Sequence, residues 1–98
     1  MEQVNKLEKA NMAYAKAKAK LLAAQLNRSV MRHSLREHYR KVASEAGEKV
    51  TEARLDDQAV SDTKYQETCQ AEVTALLAEG ETGALAKTAL CEYEISQA

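Results

Sequence analysis

The sequence predicts an all-α protein, and three observations favour this fold class. The chain of 98 residues contains no proline, so no residue lacks the backbone N–H that a helix interior requires. Alanine is the commonest residue and stands among strong helix formers, whereas glycine occurs only three times. Apolar residues recur at steps of three and four. We expect a long extended helix or a helical hairpin that assembles through helix packing.

The first predicted element is a basic helix over residues 3–55. An apolar stripe in its second half follows an 11-residue pattern typical of straight helices, and consists of Leu35, Tyr39, Val42, Ala46, Val50 and Ala53. Gly47 lies inside this helix, where glycine costs about 1 kcal/mol relative to alanine without ending the helix. We expect a bend or a close helix approach there.

A break is predicted at 56–62, where the sequence is only weakly helical. Thr63 and Gln66 have the spacing of a capping box, which predicts that a helix restarts there and covers residues 64–79. The alternative is one uninterrupted helix over 3–79.

Two glycines three residues apart, Gly80 and Gly83, predict a turn at 80–83, because glycine commonly follows the last turn of a helix. A short helix over 84–96 is then expected to complete a single all-helical element of residues 1–98. The residues predicted to pack between helices are Leu35, Tyr39, Val42, Val50, Val73, Leu76, Leu77 and Leu90.

Large aliphatic residues are scarce. Leu, Ile, Val and Phe make up 17 of the 98 residues, below the roughly 20% typical of self-sufficient globules. A chain of this length is also near the lower limit for one stable core. The sequence therefore predicts a homo-oligomer, in which helices complete their burial against neighbours.

Charge is divided between the two halves of the chain. Residues 1–50 carry 11 basic and 5 acidic side chains, whereas residues 51–98 carry 3 and 10. Four arginines recur every four residues and so follow one side of a helix, with a lysine beside the last: Arg28, Arg32, Arg36, Arg40 and Lys41. This basic stripe predicts non-specific DNA or other polyanion contact, a solvated helix face, or pairing with the acidic half of a neighbouring subunit.

Catalytic and metal-binding patterns are missing from the sequence, which predicts no enzyme activity, cofactor or metal. Cys69 and Cys91 lack CxxC spacing and are expected to be reduced, core-like thiols on apolar stripes. His33 and His38 are five residues apart, so a helix does not bring them to one face. No apolar run is long enough for a membrane span, and the N-terminus does not have the pattern of a secretory signal.

Two stretches together resemble a known family. The Ala/Lys-rich Ala15–Gln25 precedes the arginines, and Ala71–Leu90 contains the Gly80-Glu81 pair, Gly83 and then Thr88. This arrangement resembles the small internal virion proteins of short-tailed phages, which belong to the internal core, or ejectosome. The resemblance implies packaging inside the capsid near the portal with larger core proteins. It further implies release into the host envelope, with outer-membrane association, as part of a conduit for the genome.

The sequence thus predicts a structural phage virion protein. Two alternatives remain open: a helical nucleic-acid-binding accessory protein that uses the basic stripe, and a coiled-coil scaffolding or adaptor protein. The first predicts a location in the virion and then in the host envelope; the alternatives are compatible with the host cytoplasm.

Overall fold

The computed structural model describes residues 2–98 and confirms the all-α fold class. Its helices are α1 (Glu2–Glu45), α2 (Glu52–Ser61) and α3 (Thr63–Gln97), and the described residues form no strand. They group into two compact units. The first unit contains residues 2–23 and 73–98, and the second contains residues 24–72.

The single helix predicted over 3–55 is wrong. Helix α1 ends at Glu45 in a glycine C-cap, and residues 52–55 belong to α2. Gly47 has φ of 72°, the left-handed conformation that a side chain disfavours. The N–H of Gly47 donates to the carbonyl of Ser44 at 3.1 Å, and the N–H of Glu48 donates to that of Ala43 at 2.9 Å. This pair of bonds is a Schellman motif, which satisfies carbonyls at the end of the helix. Gly47 therefore ends the helix and is not a bend within it.

The segment predicted as a break at 56–62 is largely helical. Helix α2 begins after Thr51, whose side-chain oxygen accepts the N–H of Arg54 at 3.2 Å. It ends at Asp62, whose backbone is extended, with φ of −70° and ψ of 136°. The Asp62 carboxylate then accepts the N–H of Lys64 at 2.8 Å and caps α3. A helix does restart at this point, but Asp62 caps it and Thr63 is its first residue, so the predicted Thr63 capping box is wrong. An uninterrupted helix over 3–79 is excluded.

The turn predicted at 80–83 is also wrong. Gly80 and Gly83 lie inside α3, so the helices predicted over 64–79 and 84–96 are one element. Glycine at these positions weakens a helix by about 1 kcal/mol each without ending it. The absence of a side chain at Gly83 leaves room for the Tyr14 ring, because an added Cβ would lie 3.1 Å from its Cε1.

The first unit is an antiparallel pair formed by the start of α1 and the end of α3. Lys6 pairs with Glu92 at 2.8 Å, and the Tyr14 hydroxyl donates to Glu79 at 3.2 Å, which fixes the antiparallel direction. The less exposed residues of each helix alternate at steps of three and four, as in a coiled coil. On α1 they include Leu7, Ala10, Tyr14, Ala17 and Leu21, and on α3 they include Ala75, Glu79, Thr82, Ala86, Ala89 and Tyr93.

The second unit packs the end of α1 against α2 and the start of α3. Leu35, Ala59 and Tyr65 form its buried core, and Met31, Tyr39 and Cys69 pack around them. Leu55 is the largest fully buried side chain among the described residues, with 1% of its surface exposed.

The predicted packing residues divide into two groups. Leu35 is buried, and Tyr39 and Val50 are partly buried. The others are exposed in the single chain: Val42, Val73, Leu76, Leu77 and Leu90. These five are not buried between the helices of the single chain, in which the α3 seam uses neighbouring smaller residues, and their packing in an assembly stays a prediction.

Candidate functional site

The four arginines of the basic stripe form an arginine ladder on α1, made of Arg28, Arg32, Arg36 and Arg40. Arg32 makes the most regular contact. Its Nε and Nη2 donate to the two carboxylate oxygens of Asp56 on α2, at 2.7 and 2.5 Å. This bidentate geometry matches the planar guanidinium to the planar carboxylate and fixes the position of α2 along α1.

The other three arginines of the ladder also pair with acidic residues of the second unit. Arg28 pairs with Glu72 on α3, with 2.6 Å between Nε and Oε2, and its Nη1 lies 3.4 Å from the Tyr65 hydroxyl. Glu52, in the first turn of α2, receives two arginines. Arg40 donates to it at 2.8 and 3.1 Å, and Arg36 pairs with it as well.

These contacts shift the pKa values of the carboxyl groups. Hydrogen bonding from Arg32 lowers the pKa of Asp56, and hydrogen bonding from Arg40, with a smaller contribution from Arg36, lowers the pKa of Glu52. Desolvation opposes both shifts and is the smaller effect. Both carboxylates therefore stay ionised to lower pH than free carboxyl groups do.

A tyrosine–carboxylate bond lies beside the ladder. The Tyr39 hydroxyl donates to Asp62 at 2.6 Å. This bond lowers the pKa of Asp62 and raises the pKa of Tyr39. Since Asp62 also caps α3, the bond ties the junction between α2 and α3 to α1.

The arginine ladder is thus paired with acidic residues of its own chain. None of the predictions from the sequence placed the partners of the arginines in their own chain, since they assigned phosphates, solvent or a neighbouring subunit. Lys41, the fifth member of the basic stripe, forms no ion pair within residues 2–98. Within the second unit, the ladder connects α1 to α2 and to the start of α3 through ion pairs.

The other prominent feature is a set of outward aliphatic side chains. On α1, Met12 and Leu22 are 63% and 67% exposed. On α3, one face opposite the seam is apolar or small at nearly every position. We call this the outer α3 face, and it consists of Val73, Leu76, Leu77, Gly80, Ala84 and Cys91.

The sequence pointed to part of this face, since Val73, Leu76 and Leu77 form a predicted apolar stripe. Its continuation through Gly80 and Ala84 was missed, because the glycines were assigned to a turn. A periodicity search that ran through the glycines would have found it.

Elsewhere in the described residues, side chains able to catalyse a reaction or bind a metal do not lie close together. Residues 2–98 contain no group of three or more His, Cys, Asp or Glu side chains placed to hold a metal ion. Both cysteines are free. Cys69 packs against the core, but Cys91 is exposed, which corrects the expectation that it lies in a core. Within the same residues, no helix has the length and hydropathy needed to cross a membrane.

Comparison of the chain with family models, with curated proteins and with solved structures finds no match. The arginine ladder and the outer α3 face are therefore interpreted from their own geometry.

Proposed function

We propose that this chain is a non-enzymatic structural protein that acts by packing its outward faces against other helices. The observation that carries the proposal is the placement of the aliphatic side chains. In the first unit alanines occupy much of the seam, while Leu22, Leu77 and Leu85 are each about two thirds exposed. A monomer would normally place its leucines in the seam and leave its alanines outside.

The energetics favour association. Full burial of one leucine side chain contributes about 1.5–3 kcal/mol, far more than burial of an alanine methyl. A seam rich in alanine brings two helices close together but gains little from burial. Exposed apolar patches are typical of surfaces that bind other proteins. Assembly would thus provide burial that the single chain lacks.

Sedimentation velocity of the purified chain tests this role. We expect a defined oligomer at micromolar concentrations, with helicity by circular dichroism equal to that of the described structure. A chain that remains monomeric up to millimolar concentration, with and without candidate partners, would contradict the proposal.

The setting we propose for this assembly is the internal core of a short-tailed phage. Its support is the resemblance in Ala15–Gln25 and Ala71–Leu90. Since Gly80 and Gly83 are helical, that resemblance now depends on the alanine-rich helices and not on a Gly-Glu turn. In this proposal the chain is packaged near the portal with larger core proteins and later enters the host envelope at the outer membrane.

Mass spectrometry of purified virions tests the setting separately from the assembly. We expect the chain in mature particles at a fixed copy number, and its loss from particles after genome ejection. Its absence from mature particles would exclude the virion role and leave the coiled-coil scaffold or adaptor as the form of the assembly function.

Non-specific DNA contact is a weaker part of the proposal, because carboxylates already occupy the arginine ladder. We expect only weak, salt-sensitive binding of duplex DNA at 150 mM salt, measured by mobility shift. The double variant Glu52→Gln and Asp56→Asn should increase it by leaving Arg32 and Arg36 without their acidic partners, whereas Arg40 keeps its ion pair with Glu37. Tight wild-type binding that Arg32→Gln abolishes would instead favour the nucleic-acid-binding alternative.

A further inference from the structure

The lysines of α1 in the first unit divide into two groups. Lys6 pairs with Glu92 at 2.8 Å, and Nζ of Lys18 lies 4.8 Å from the centre of the Tyr14 ring, a cation–π contact. The others form no ion pair within residues 2–98, and they are Lys9, Lys16 and Lys20.

The three unpaired lysines lie on one line along α1, which we call the lysine line. Lys9, Lys16 and Lys20 follow one another at steps of seven and four, so a helix keeps them within about 40° of one another. Ala13 and Ala23 fill the remaining steps of the pattern, and all five side chains are exposed. The line is about 16 Å long at 1.5 Å per residue. A ligand can therefore approach it closely between the ammonium groups.

The lysine line lies in a part of the sequence that has no acidic residue. Residues 9–36 contain neither aspartate nor glutamate, and the nearest acid along the chain, Glu8, points about 100° away from Lys9 around the helix. Two acids of α3 in the first unit are engaged elsewhere, since Glu79 accepts the Tyr14 hydroxyl and Glu92 pairs with Lys6. The line is therefore a local positive surface on a chain whose net charge is −1.

We propose that the lysine line binds the phosphate backbone of duplex nucleic acid without sequence specificity. This inference rests on the DNA contact in the proposed function and moves that contact from the arginine ladder to a second site. The ladder is paired with Glu52, Asp56 and Glu72 of its own chain, whereas the lysine line is free to pair with a ligand.

The spacing of the lysines fits a row of phosphates. Each strand of a duplex carries one phosphate about every 3.4 Å along the axis. Along α1, Lys16 is about 6 Å from Lys20 and about 10 Å from Lys9. Each ammonium group is at the end of a flexible four-carbon chain, so the three lysines can each reach a different phosphate of one strand.

The surroundings of the line favour a nucleic acid over a lipid surface. A helix that lies in a membrane interface buries a broad apolar face flanked by its basic side chains. Here alanines alternate with the lysines, and Leu22, 67% exposed, lies about 140° around the helix from the line. Met12 lies at the edge of the line, about 60° away. One lipid surface would thus not bury Leu22 while it contacts the lysines.

The line has no group that could read bases. Contacts between lysine and phosphate fix the position of a protein on a duplex but carry no sequence information. Tyr14, the aromatic residue nearest to the line in the sequence, donates to Glu79 across the seam and is not placed to stack on a base. We therefore expect duplexes of unrelated sequence to bind equally.

Fluorescence anisotropy of a labelled 20-bp duplex, titrated with the full chain, tests the site. Neutralisation of three phosphates per chain predicts a slope of about −2.7 for log K against log salt, a fall of about 40-fold from 50 to 200 mM salt. The triple variant Lys9→Gln, Lys16→Gln and Lys20→Gln should weaken binding at least about tenfold at 50 mM salt and flatten the slope. Circular dichroism establishes that the variant keeps its helicity.

The matched control removes the same charge elsewhere, in the triple variant Lys41→Gln, Lys49→Gln and Lys64→Gln. These lysines are exposed, lie in the second unit and form no ion pair with any described residue. The control should bind within about threefold of the wild type, and replacement of the lysine line by three arginines should keep binding, because charge is retained. Equal weakening by both glutamine variants would overturn the proposal, since net charge alone would then explain binding.

Two further outcomes would assign the ligand or the site differently. Co-sedimentation with vesicles of phosphatidylglycerol and phosphatidylcholine that the lysine variant abolishes, in a chain that does not bind the duplex, would overturn the nucleic acid in favour of a lipid surface. Duplex binding that Arg32→Gln abolishes and the lysine variant retains would return the contact to the arginine ladder.

The outcomes also separate this inference from the proposed assembly. A wild-type chain that does not bind the duplex at 50 mM salt but still forms an oligomer in sedimentation velocity contradicts the lysine line alone. A chain that remains monomeric but binds the duplex through the line contradicts the assembly alone.

Discussion

At the scale of single residues, three glycines with similar sequence surroundings have three different roles. Gly47 ends a helix, Gly83 makes room for a tyrosine ring, and a Cβ added at Gly80 would meet no neighbour within 4 Å. The differences come from backbone conformation and from residues distant in the chain. Substitution of each glycine by alanine should therefore give a different change in the free energy of unfolding.

Gly47→Ala should destabilise the protein by about 1 kcal/mol, because alanine disfavours the positive φ that the Schellman motif requires. Urea unfolding monitored by circular dichroism measures the change. Gly80→Ala is the matched control and should stabilise by about 0.5–1 kcal/mol, since alanine is the better residue in a helix interior. Stabilisation by Gly47→Ala would contradict its assignment as a helix C-cap.

Gly83→Ala should stabilise less than Gly80→Ala, or destabilise, although both positions lie in α3. Its methyl group would lie 3.1 Å from the Tyr14 ring, which a hydrogen bond to Glu79 holds in place. Unfolding should be measured in the Leu77→Glu background, so that self-association does not contribute. With Tyr14→Ala added, the two glycine substitutions should become equivalent, and a persisting difference would show that the ring is not the cause.

At the scale of elements, the arginine ladder determines where α2 lies on α1. Helix α2 is only 10 residues long, too short to be stable on its own in water. It buries Leu55 and Ala59 and presents Glu52 and Asp56 to the ladder. Burial provides the attraction, while the ion pairs choose the register of the two helices.

The second unit should lose stability in acid through these carboxylates. The folded state lowers the pKa of Asp56 from its ordinary 3.8 and that of Glu52 from its ordinary 4.5. A lowered pKa means that the stabilisation is fully present above the ordinary value and is lost as the pH falls through the lowered one. The urea midpoint should therefore fall as the pH drops below the ordinary pKa values, and Asp56→Asn should make that fall less steep.

Asp57→Asn is the control for this acid sensitivity, because the neighbouring Asp57 is exposed and forms no ion pair within residues 2–98. Its pH profile should match that of the wild type. Addition of 1 M salt should reduce the difference between wild type and Asp56→Asn, since these pairs are partly exposed and salt screens them. Equal profiles for both variants would show that the Arg32–Asp56 pair does not contribute.

At the scale of the whole molecule, the outward aliphatic faces should make stability depend on protein concentration. A partner that binds only the folded chain raises its apparent stability by mass action. We expect the thermal midpoint to rise between 5 and 500 µM chain, measured by circular dichroism. Leu77→Glu should reduce the rise, because it places a charge among the outward aliphatic side chains. A midpoint independent of concentration in the wild type would contradict self-assembly.

The fold class and the positions of the charges could be predicted because they depend on local sequence. Helix formers without proline specify helices, and arginines at every fourth residue lie on one side whatever they meet. The position of the restart was also predicted, from the spacing of Thr63 and Gln66, although Asp62 caps the helix. The seam residues of α3 could not be predicted, because the apolar pattern favours the largest aliphatic side chains as packing positions.

Local sequence is enough to specify an all-helical chain with a basic α1 and acidic residues downstream. Tertiary contacts are needed to establish which glycine ends a helix, which side of α3 faces α1, and which carboxylates pair with the arginine ladder. Glycine permits a left-handed backbone without requiring it, and contacts such as Tyr14 with Gly83 join residues far apart in the chain. Those choices depend on how two helices approach each other, which no local window of the sequence contains.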